Sequence, residues 1–282
     1  MTHTNAAQTD RDDHRSTTES QAESAVLADD IAVGYPQTDD PVVECQRLDI
    51  PVGEITALVG PNGSGKSTLL KALSNHLAPE RGYVLLRGKD LQQYDQSALA
   101  QELGILSQER DAPTSLTVED LAYHGRYPHR GFLEAVGEDD HRAVDRALAL
   151  AGIDHLRESP LDQLSGGQKQ LAWIAMVLAQ ETDVLLLDEP TTFLDMHHQL
   201  RVLETIRQLN DEAGVTVGVV LHDIEQATRF ADYLVAMADG ELYDWGPPAE
   251  VVTEQLLAEV FAVDATVSHD PDVQIVPRRA LE

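Results

Sequence analysis

The chain has 282 residues, and its 49 acidic and 20 basic side chains give a formal net charge of −29 at pH 7. Proteins bind nucleic acids mainly through Lys and Arg that release counterions from phosphates, and no basic stripe occurs along this sequence, which excludes nucleic-acid partners. A charge of this size destabilises the compact state by self-repulsion unless salt screens it. We therefore expect a protein adapted to a cytoplasm with concentrated salt.

The N-terminal segment, residues 1–25, consists mostly of Thr, Ser, Gln, Asp and Glu. It has too few large apolar side chains to offset the entropy cost of ordering, so we expect a disordered acidic extension. It also lacks the layout of a signal peptide, and Cys45, the single cysteine, cannot form an intrachain disulfide. The longest apolar stretches, such as residues 171–179, are shorter than the roughly 20 residues that cross a bilayer. These features predict a chain inside the cell that contacts membranes only through a partner.

From residue 26 onward, short β-branched runs alternate with helical patterns, which indicates an α/β fold with a parallel sheet. Residues 184–187 and 215–221 are apolar without alternation, as is typical of central strands that are covered on both faces. Residues 117–179 have helical spacing instead, and they predict a helical lobe inserted in the α/β core.

Two details of this pattern make specific predictions. In the helical lobe, apolar residues recur at i, i+3, i+4 and i+7, and Gly152 follows as a predicted C-cap; these residues are Val144, Ala147, Leu148 and Ala151. Near the C-terminus, Asp270-Pro271-Asp272 lies between two Val-containing runs and predicts a small hairpin.

A phosphate-binding loop is predicted at Gly60-Pro61-Asn62-Gly63-Ser64-Gly65-Lys66-Ser67, which fits the pattern G-x-x-x-x-G-K-[ST]. An apolar run precedes the loop at residues 55–59, and a helical pattern follows from Thr68 to Leu77. Glycines let backbone N–H groups turn towards phosphate oxygens, and the helix adds the positive end of its dipole. Lys66 should reach the β- and γ-phosphates, and Ser67 should ligate Mg²⁺. The alternative is a glycine turn that matches the pattern by chance.

A second predicted element is the apolar strand that ends in Asp188-Glu189. Carboxylates at the end of a buried strand are costly unless a cation lies nearby. Asp188 should therefore hold Mg²⁺ directly or through water, and Glu189 should act as the general base that polarises the attacking water. The alternative is a strand end that simply reaches solvent.

The third element is Leu164-Ser165-Gly166-Gly167-Gln168, in which Ser165 is a predicted N-cap and two glycines expose N–H groups at a helix start. This segment resembles the signature sequence of the ATP-binding subunits of ABC transporters. It lies between the first two elements in the order typical of that family. The resemblance implies a P-loop NTPase core with a mostly parallel sheet, an antiparallel β subdomain and a helical subdomain at about residues 109–180. The whole domain is expected at 26–277, followed by a C-terminal tail at 278–282.

The same resemblance implies a head-to-tail dimer in which residues 165–168 of one copy face the γ-phosphate of ATP bound to the other. It assigns Gln108 to a loop that senses Mg²⁺ and water, His222 to a switch at the γ-phosphate, and Asp195 to a loop that crosses the seam. Tyr35 lies where the family places an aromatic ring against adenine, although a Tyr at such a turn is commonly just packing. Taken alone, Gln108 and His222 would be ordinary polar residues.

Several stretches resemble the ATPases of importers for ferric siderophores, haem and vitamin B12. They are Thr117-Val118-Glu119-Asp120-Leu121, Gly125-Arg126-Tyr127-Pro128-His129, residues 172–180 and Glu189-Pro190-Thr191-Thr192-Phe193-Leu194-Asp195. This likeness implies an ATP-hydrolysing motor subunit at the cytoplasmic face of the membrane. It would work with separate permease subunits and, indirectly, with an extracytoplasmic substrate-binding protein.

Two alternatives remain at this point. One is a soluble ABC-type ATPase in DNA repair, translation or Fe–S assembly, although no coiled-coil insertion, zinc module or second nucleotide domain is evident. The other is a P-loop switch without turnover, which the general-base position of Glu189 disfavours. His197-His198 are not expected to bind metal, because successive helical residues point about 100° apart.

Overall fold

The computed structural model describes residues 24–36, 40–108, 113, 115–130, 134–270 and 272–281. The strands in these ranges are Ser24–Val33 (β1), Val43–Pro51 (β2), Ile55–Val59 (β3), Arg81–Leu86 (β4), Lys89–Asp90 (β5), Leu103–Leu106 (β6), Val184–Asp188 (β7), Thr216–Val220 (β8), Tyr233–Ala238 (β9), Glu241–Gly246 (β10), Val263–Ser268 (β11) and Gln274–Ala280 (β12). The helices are Lys66–Leu73 (α1), Gln96–Glu102 (α2), Val118–His124 (α3), Glu138–Ala151 (α4), Gly166–Ala179 (α5), Met196–Ala213 (α6), Ile224–Phe230 (α7), Pro248–Val251 (α8) and Glu254–Glu259 (α9). Across the described ranges, none of the helices combines the length and apolarity that a membrane span requires.

The main sheet has ten strands in the order β5-β4-β1-β2-β10-β9-β3-β8-β7-β6. Strands β9, β3, β8, β7 and β6 are parallel neighbours, whereas β1, β2, β4 and β5 form an antiparallel lobe. The predicted α/β class with a mostly parallel core and an antiparallel part is therefore confirmed. Strands β7 and β8 are buried along their whole lengths, as expected for central strands.

Two apolar cores cover the two faces of the parallel sheet. Alternate residues of β7 belong to different cores, with Leu185 and Leu187 on one side and Val184 and Leu186 on the other. The first core joins the sheet to the helices α3 to α7, and the second places α1 between the parallel strands and the antiparallel lobe. The loop between β3 and α1 is thereby anchored from both sides.

Three helices, α3, α4 and α5, form the predicted lobe. The apolar residues predicted for α4 are all buried, and Gly152 ends the helix with a left-handed φ of 66°, as its C-cap position predicted. A buried ion pair between Arg126 and Asp140 (Nε to Oδ1, 3.0 Å) ties the end of α3 to the start of α4. Residues 109–112, 114 and 131–133 of this predicted lobe lie outside the described residues.

Two predicted boundaries in the N-terminal part need correction. Ser24 and Ala25 belong to β1 and not to the acidic extension, because Ala25 is buried and Ser24 pairs with Pro51. The remaining extension, residues 1–23, lies outside the described residues. Helix α1 ends at Leu73, before the predicted Leu77, because Asn75 adopts a left-handed φ of 60°.

The predicted C-terminal hairpin is present as β11 and β12, which pair antiparallel from Val263↔Ala280 to Ser268↔Gln274. Residues 278–280, predicted as a tail, therefore continue strand β12. Pro271, at the predicted turn, lies outside the described residues.

Candidate ATP-binding and hydrolysis site

The predicted phosphate-binding loop connects β3 to α1. Three of its glycines have positive φ values, at 151° for Gly60, 84° for Gly63 and 95° for Gly65. A side chain at Gly60 would also place Cβ 2.2 Å from the carbonyl oxygen of Met237, so the close approach of β9 requires glycine there. Helix α1 has no acidic residue in its first turn, which leaves its N-terminus favourable to an anion.

Lys66 begins α1 and is only 5% exposed. Its Nζ donates to the carbonyl oxygens of Gly60 and Pro61, at 3.0 and 2.9 Å. Burial lowers the pKa of Lys66, although the carboxylates of Glu189 and Asp188 oppose this change. An amine held inside the loop beside two carboxylates is suited to pair with phosphate oxygens that enter the same loop.

Ser67 and Asp188, which were predicted to bind Mg²⁺, are hydrogen-bonded to each other. The Ser67 hydroxyl donates to Oδ1 of Asp188 at 2.9 Å, and Asp188 is 3% exposed at the end of β7. Within the described residues, no cluster of three or more His, Cys, Asp or Glu could hold a metal by itself. This donor set fits Mg²⁺, which binds through one or two protein oxygens and completes its shell with water and phosphate oxygens.

Glu189 follows β7 with a left-handed φ of 51°, and its side chain is 9% exposed. Its carboxylate has three partners. His222 Nε2 lies 2.6 Å from Oε1, while Gln108 Nε2 and Thr192 Oγ1 lie 2.9 and 3.1 Å from Oε2. A carboxylate held at both oxygens beside a phosphate loop is well placed to accept a proton from water.

The sequence did not single out Thr192, although its hydroxyl contacts the predicted general base directly. It also missed Phe193, which has a left-handed φ of 63° and is 98% exposed. Both residues lie in the stretch 189–195 that carries the family likeness, but no periodicity gave either of them a role, because they lie in an irregular loop between β7 and α6.

A cleft of about 510 Å³ brings together nine of the predicted residues, from the phosphate-binding loop, Gln108, Glu189 and His222. Its lining consists of Val42, Asn62, Gly63, Gly65, Lys66, Ser67, Thr68, Gln108, Glu189, Thr192, Phe193 and His222. Three loop residues do not line the cleft: Gly60 and Pro61 supply the carbonyls that bind Lys66, and Ser64 is buried, at 2% exposed. Among the described residues, none of residues 165–168 lines this cleft.

The signature segment forms the predicted helix start. Ser165 is the N-cap of α5, where its Oγ accepts from the Gln168 N–H at 3.3 Å and its own N–H donates to Gln168 Oε1 at 3.0 Å. This reciprocal arrangement is a capping box. Ser165 and Gly166 are exposed, so the N-terminus of α5 presents its N–H groups outward.

Asp195 caps α6, and its carboxylate accepts from the His198 N–H at 3.0 Å. The same backbone bond and the His198 side chain lower the pKa of Asp195. Asp195 is exposed beside His198 and does not line the phosphate cleft. Its predicted place at a seam between two copies stays a prediction.

Tyr35 lies beside the cleft and not in its lining. Its hydroxyl is 3.3 Å from Oγ1 of Thr68, and Lys71 Nζ lies 5.8 Å from the centre of its ring. The half-buried ring is thus fixed next to the first turn of α1. Its predicted contact with adenine stays a prediction.

Comparison with known proteins agrees with this geometry. Residues 44–192 match the family model for the ABC transporter. The chain is 44% identical over 230 residues to the ferric enterobactin transport ATP-binding protein FepC of Escherichia coli, an alignment that spans 82% of this chain and 85% of FepC.

Two solved structures are similar in fold. A metal-chelate type ABC transporter in an inward-facing conformation superposes with a TM-score of 0.77 and 26% identity, over 91% of this chain and 98% of that chain. The dimeric structure of MJ0796, a bacterial ABC transporter cassette, gives a TM-score of 0.70 and 28% identity, over 79% of this chain and 98% of that chain.

Proposed function

Because this chain belongs to the ABC transporter family, we propose that it powers the import of a ferric chelate, such as a siderophore, through a separate membrane permease. ATP hydrolysis is the activity of the chain. The ferric cargo follows from its likeness to the ferric enterobactin protein and to the metal-chelate transporter. In this proposal the cargo does not contact the ATP site, so no residue of that site recognises the cargo.

The observation that supports the hydrolytic function is the set of contacts that hold the Glu189 carboxylate in place. With one carboxylate oxygen facing His222 and the other facing Gln108 and Thr192, the group is fixed at the edge of the phosphate cleft. Glu189 accepts the proton of the attacking water while Lys66 and the loop N–H groups hold the phosphates. Mg²⁺ held by Ser67 and Asp188, with Gln108 nearby, would neutralise charge on the β- and γ-phosphates.

The working unit in this proposal is a head-to-tail dimer. Ser165 and Gly166 are exposed and do not line the phosphate cleft, although Gly166 borders an adjoining pocket with Gln108 and Glu189. The N–H groups at the start of α5 are therefore available to the γ-phosphate bound by a second copy. The likeness to the dimeric cassette supports this arrangement. ATP drives closure because it binds the closed dimer more tightly than the open one.

Glu189→Gln tests the catalytic and dimeric parts together. The variant should bind ATP, lose hydrolysis and elute as a dimer from a sizing column only when ATP is present. Glu204→Gln, at an exposed position of α6, is the matched control and should behave like the wild type. A Glu189→Gln variant that hydrolyses ATP at the normal rate would remove this residue from the mechanism.

The transport part places the chain at the cytoplasmic face of the membrane, docked on permease subunits that receive cargo from an extracytoplasmic binding protein. A strain without this chain should lose uptake of radioactive iron bound to siderophore, and the wild-type chain should restore it. Uptake of radiolabelled cobalamin, measured in the same cells, separates the two cargo classes. Loss of cobalamin uptake alone would contradict the ferric assignment.

A further inference from the structure

The second glycine of the signature segment lies against a side chain of its own molecule. A Cβ atom at Gly167 would lie 2.6 Å from Cδ2 and 2.8 Å from Cγ of His198. Carbon atoms in contact are normally about 3.5–4.0 Å apart, so even an alanine would clash with the imidazole. At Gly166, by contrast, no atom lies within 4 Å of the corresponding position. The two neighbouring glycines therefore face different surroundings.

The imidazole of His198 is held in place on its other side. Its Nδ1 lies 2.9 and 3.0 Å from the two carboxylate oxygens of Asp195. The ring also meets His197 edge-to-face, with centroids 5.4 Å apart and planes at 79°. Moving the ring away from residue 167 would break the contact with Asp195, so the clash at that residue cannot be relieved cheaply.

Backbone conformation does not explain the glycine at this position. Gly167 is not among the residues with positive φ, and it lies in the first turn of α5. Alanine is intrinsically better than glycine in a helix. The close contact with the His198 ring gives a physical reason for a glycine at this helical position.

We infer that His198 is a positioning residue that ties the catalytic loop (residues 189–195, between β7 and α6) to the N-terminus of the signature helix α5. The absence of a Cβ atom at Gly167 leaves room for this imidazole. The catalytic loop carries Glu189 and Asp195, so the contact makes the general base and the anion-binding helix start move together. The consequence for activity rests on the proposed dimer, whereas the contact itself does not.

The contact is tested first in the nucleotide-free, full-length chain by a double-mutant cycle in thermal unfolding. Gly167→Ala should lower the unfolding midpoint in the wild-type background, because it collides with the ring. In the His198→Ala background the same change should raise the midpoint, because only the helix preference remains. Gly166→Ala is the matched control and should have the same effect in both backgrounds. An equal effect of Gly167→Ala in both backgrounds would overturn the inference.

Activity supplies the second test. His198→Ala should lower kcat severalfold and leave the ATP affinity of the Glu189→Gln monomer unchanged, because the phosphate loop lies elsewhere. Gly167→Ala should lose most ATPase activity, and adding His198→Ala should restore it to the level of His198→Ala alone. A double variant that folds and stays as inactive as Gly167→Ala would mean that the glycine serves the anion and not the ring.

The proposed function and this inference fail in different ways. If Glu189→Gln never dimerises with ATP, the head-to-tail dimer is wrong. The reversal of sign in the unfolding cycle would still be expected in that case, since both residues belong to one chain.

Discussion

His222 Nε2 lies 2.6 Å from Oε1 of Glu189, which joins the residues that follow two adjacent parallel strands. The register of β7 and β8 brings this about, because Asp188 pairs with Val220 and each chain then continues past the same edge of the sheet. The carboxylate is nearly buried, at 9% exposed, while the imidazole is 42% exposed. The protein thus shields the Glu189 carboxylate from bulk water, while His222, which contacts it, faces the cleft.

Thr192→Val should lower kcat for ATP hydrolysis by a factor of about 10 to 100, because hydrogen bonds to charged groups contribute about 1.5–3 kcal/mol. The hydroxyl donates to Oε2 of Glu189 at 3.1 Å, and valine preserves the shape of the side chain without this donor. The measurement is steady-state phosphate release, with the KM for ATP expected to change little. Thr192→Ser is the control and should keep most activity. Wild-type turnover by Thr192→Val would show that the hydroxyl does not orient the base.

Much of this site could be predicted from sequence because it is made of local patterns. The loop from Gly60 to Ser67 and the capping box at Ser165 each depend on residues that are close along the chain, so their geometry follows from spacing. The contact of Thr192 with Glu189 depends on an irregular loop with no period, and it was missed. His198 and Gly167 are 31 positions apart in the sequence, and only tertiary packing brings them into contact.

The strand and helix ends were predicted less well, for a related reason. Helix α1 stops at Leu73 because Asn75 turns left-handed, although the helical pattern was predicted to continue to Leu77. Strand β12 extends to Ala280 because its pairing with β11 continues, although Arg278 and Arg279 look like a polar tail. In both cases hydrogen bonding and not side-chain polarity sets the end.

Tyr35→Ala should weaken ATP binding by an amount equivalent to about 1–3 kcal/mol, the usual contribution of base stacking on an aromatic ring. The ring is fixed by Thr68 on one side and by Lys71 at 5.8 Å from its centre. Tyr35→Phe keeps the ring and loses only the hydroxyl, so it should bind ATP almost normally. Binding is measured by calorimetry in the Glu189→Gln background. Equal affinity for ATP in the alanine variant would show that Tyr35 only packs.

Lys66→Met should abolish ATP binding and raise the thermal stability of the nucleotide-free chain at neutral pH. Burial lowers the pKa of Lys66 below its ordinary value of about 10.4, so the unfolded state binds more protons in the interval between the two values. The free energy of unfolding of the wild type therefore rises with pH between the folded and the unfolded pKa of Lys66. The penalty for burying the charge disappears as pH approaches the unfolded value.

The advantage of Lys66→Met should accordingly be present at pH 7 and shrink as pH approaches about 10. Lys71→Met, at an exposed position of the same helix, is the control and should show no such trend. Unfolding midpoints from pH 7 upward, without nucleotide, provide the measurement. An advantage that does not vary with pH would rule out charge burial as its cause.

Raising KCl from about 0.1 M to about 1 M should stabilise the wild-type chain strongly, because the Debye length falls from about 10 Å to about 3 Å. The net charge of −29 is self-repulsive, and most of the acidic side chains have no basic partner to offset them, with 49 acidic against 20 basic residues. Thermal unfolding against KCl measures the effect, and sucrose at matched osmolality is the control for non-ionic stabilisation. Full stability in dilute buffer would contradict adaptation to high salt.

Phe193 should lie in the seam between two copies. Its ring is 98% exposed on a backbone with a φ of 63°, and Met196 beside it is 76% exposed. A left-handed conformation costs a non-glycine residue about 1–2 kcal/mol, and a ring exposed to water gains no burial energy in return. Covering the ring with a second copy would contribute about 1.5–3 kcal/mol.

Phe193→Ala in the Glu189→Gln background should therefore raise the Kd of the ATP-dependent dimer at least about 10-fold. The ATP affinity of the monomer should stay close to normal, because the phosphate loop and Tyr35 are untouched. Sedimentation at several protein concentrations measures the dimer, and Tyr127→Ala, which removes a 57% exposed ring from the helical lobe, is the matched control. If Phe193→Ala dimerises as tightly as its parent, the ring lies outside the seam, and its strained backbone then has to be explained by the contact of Thr192 with Glu189.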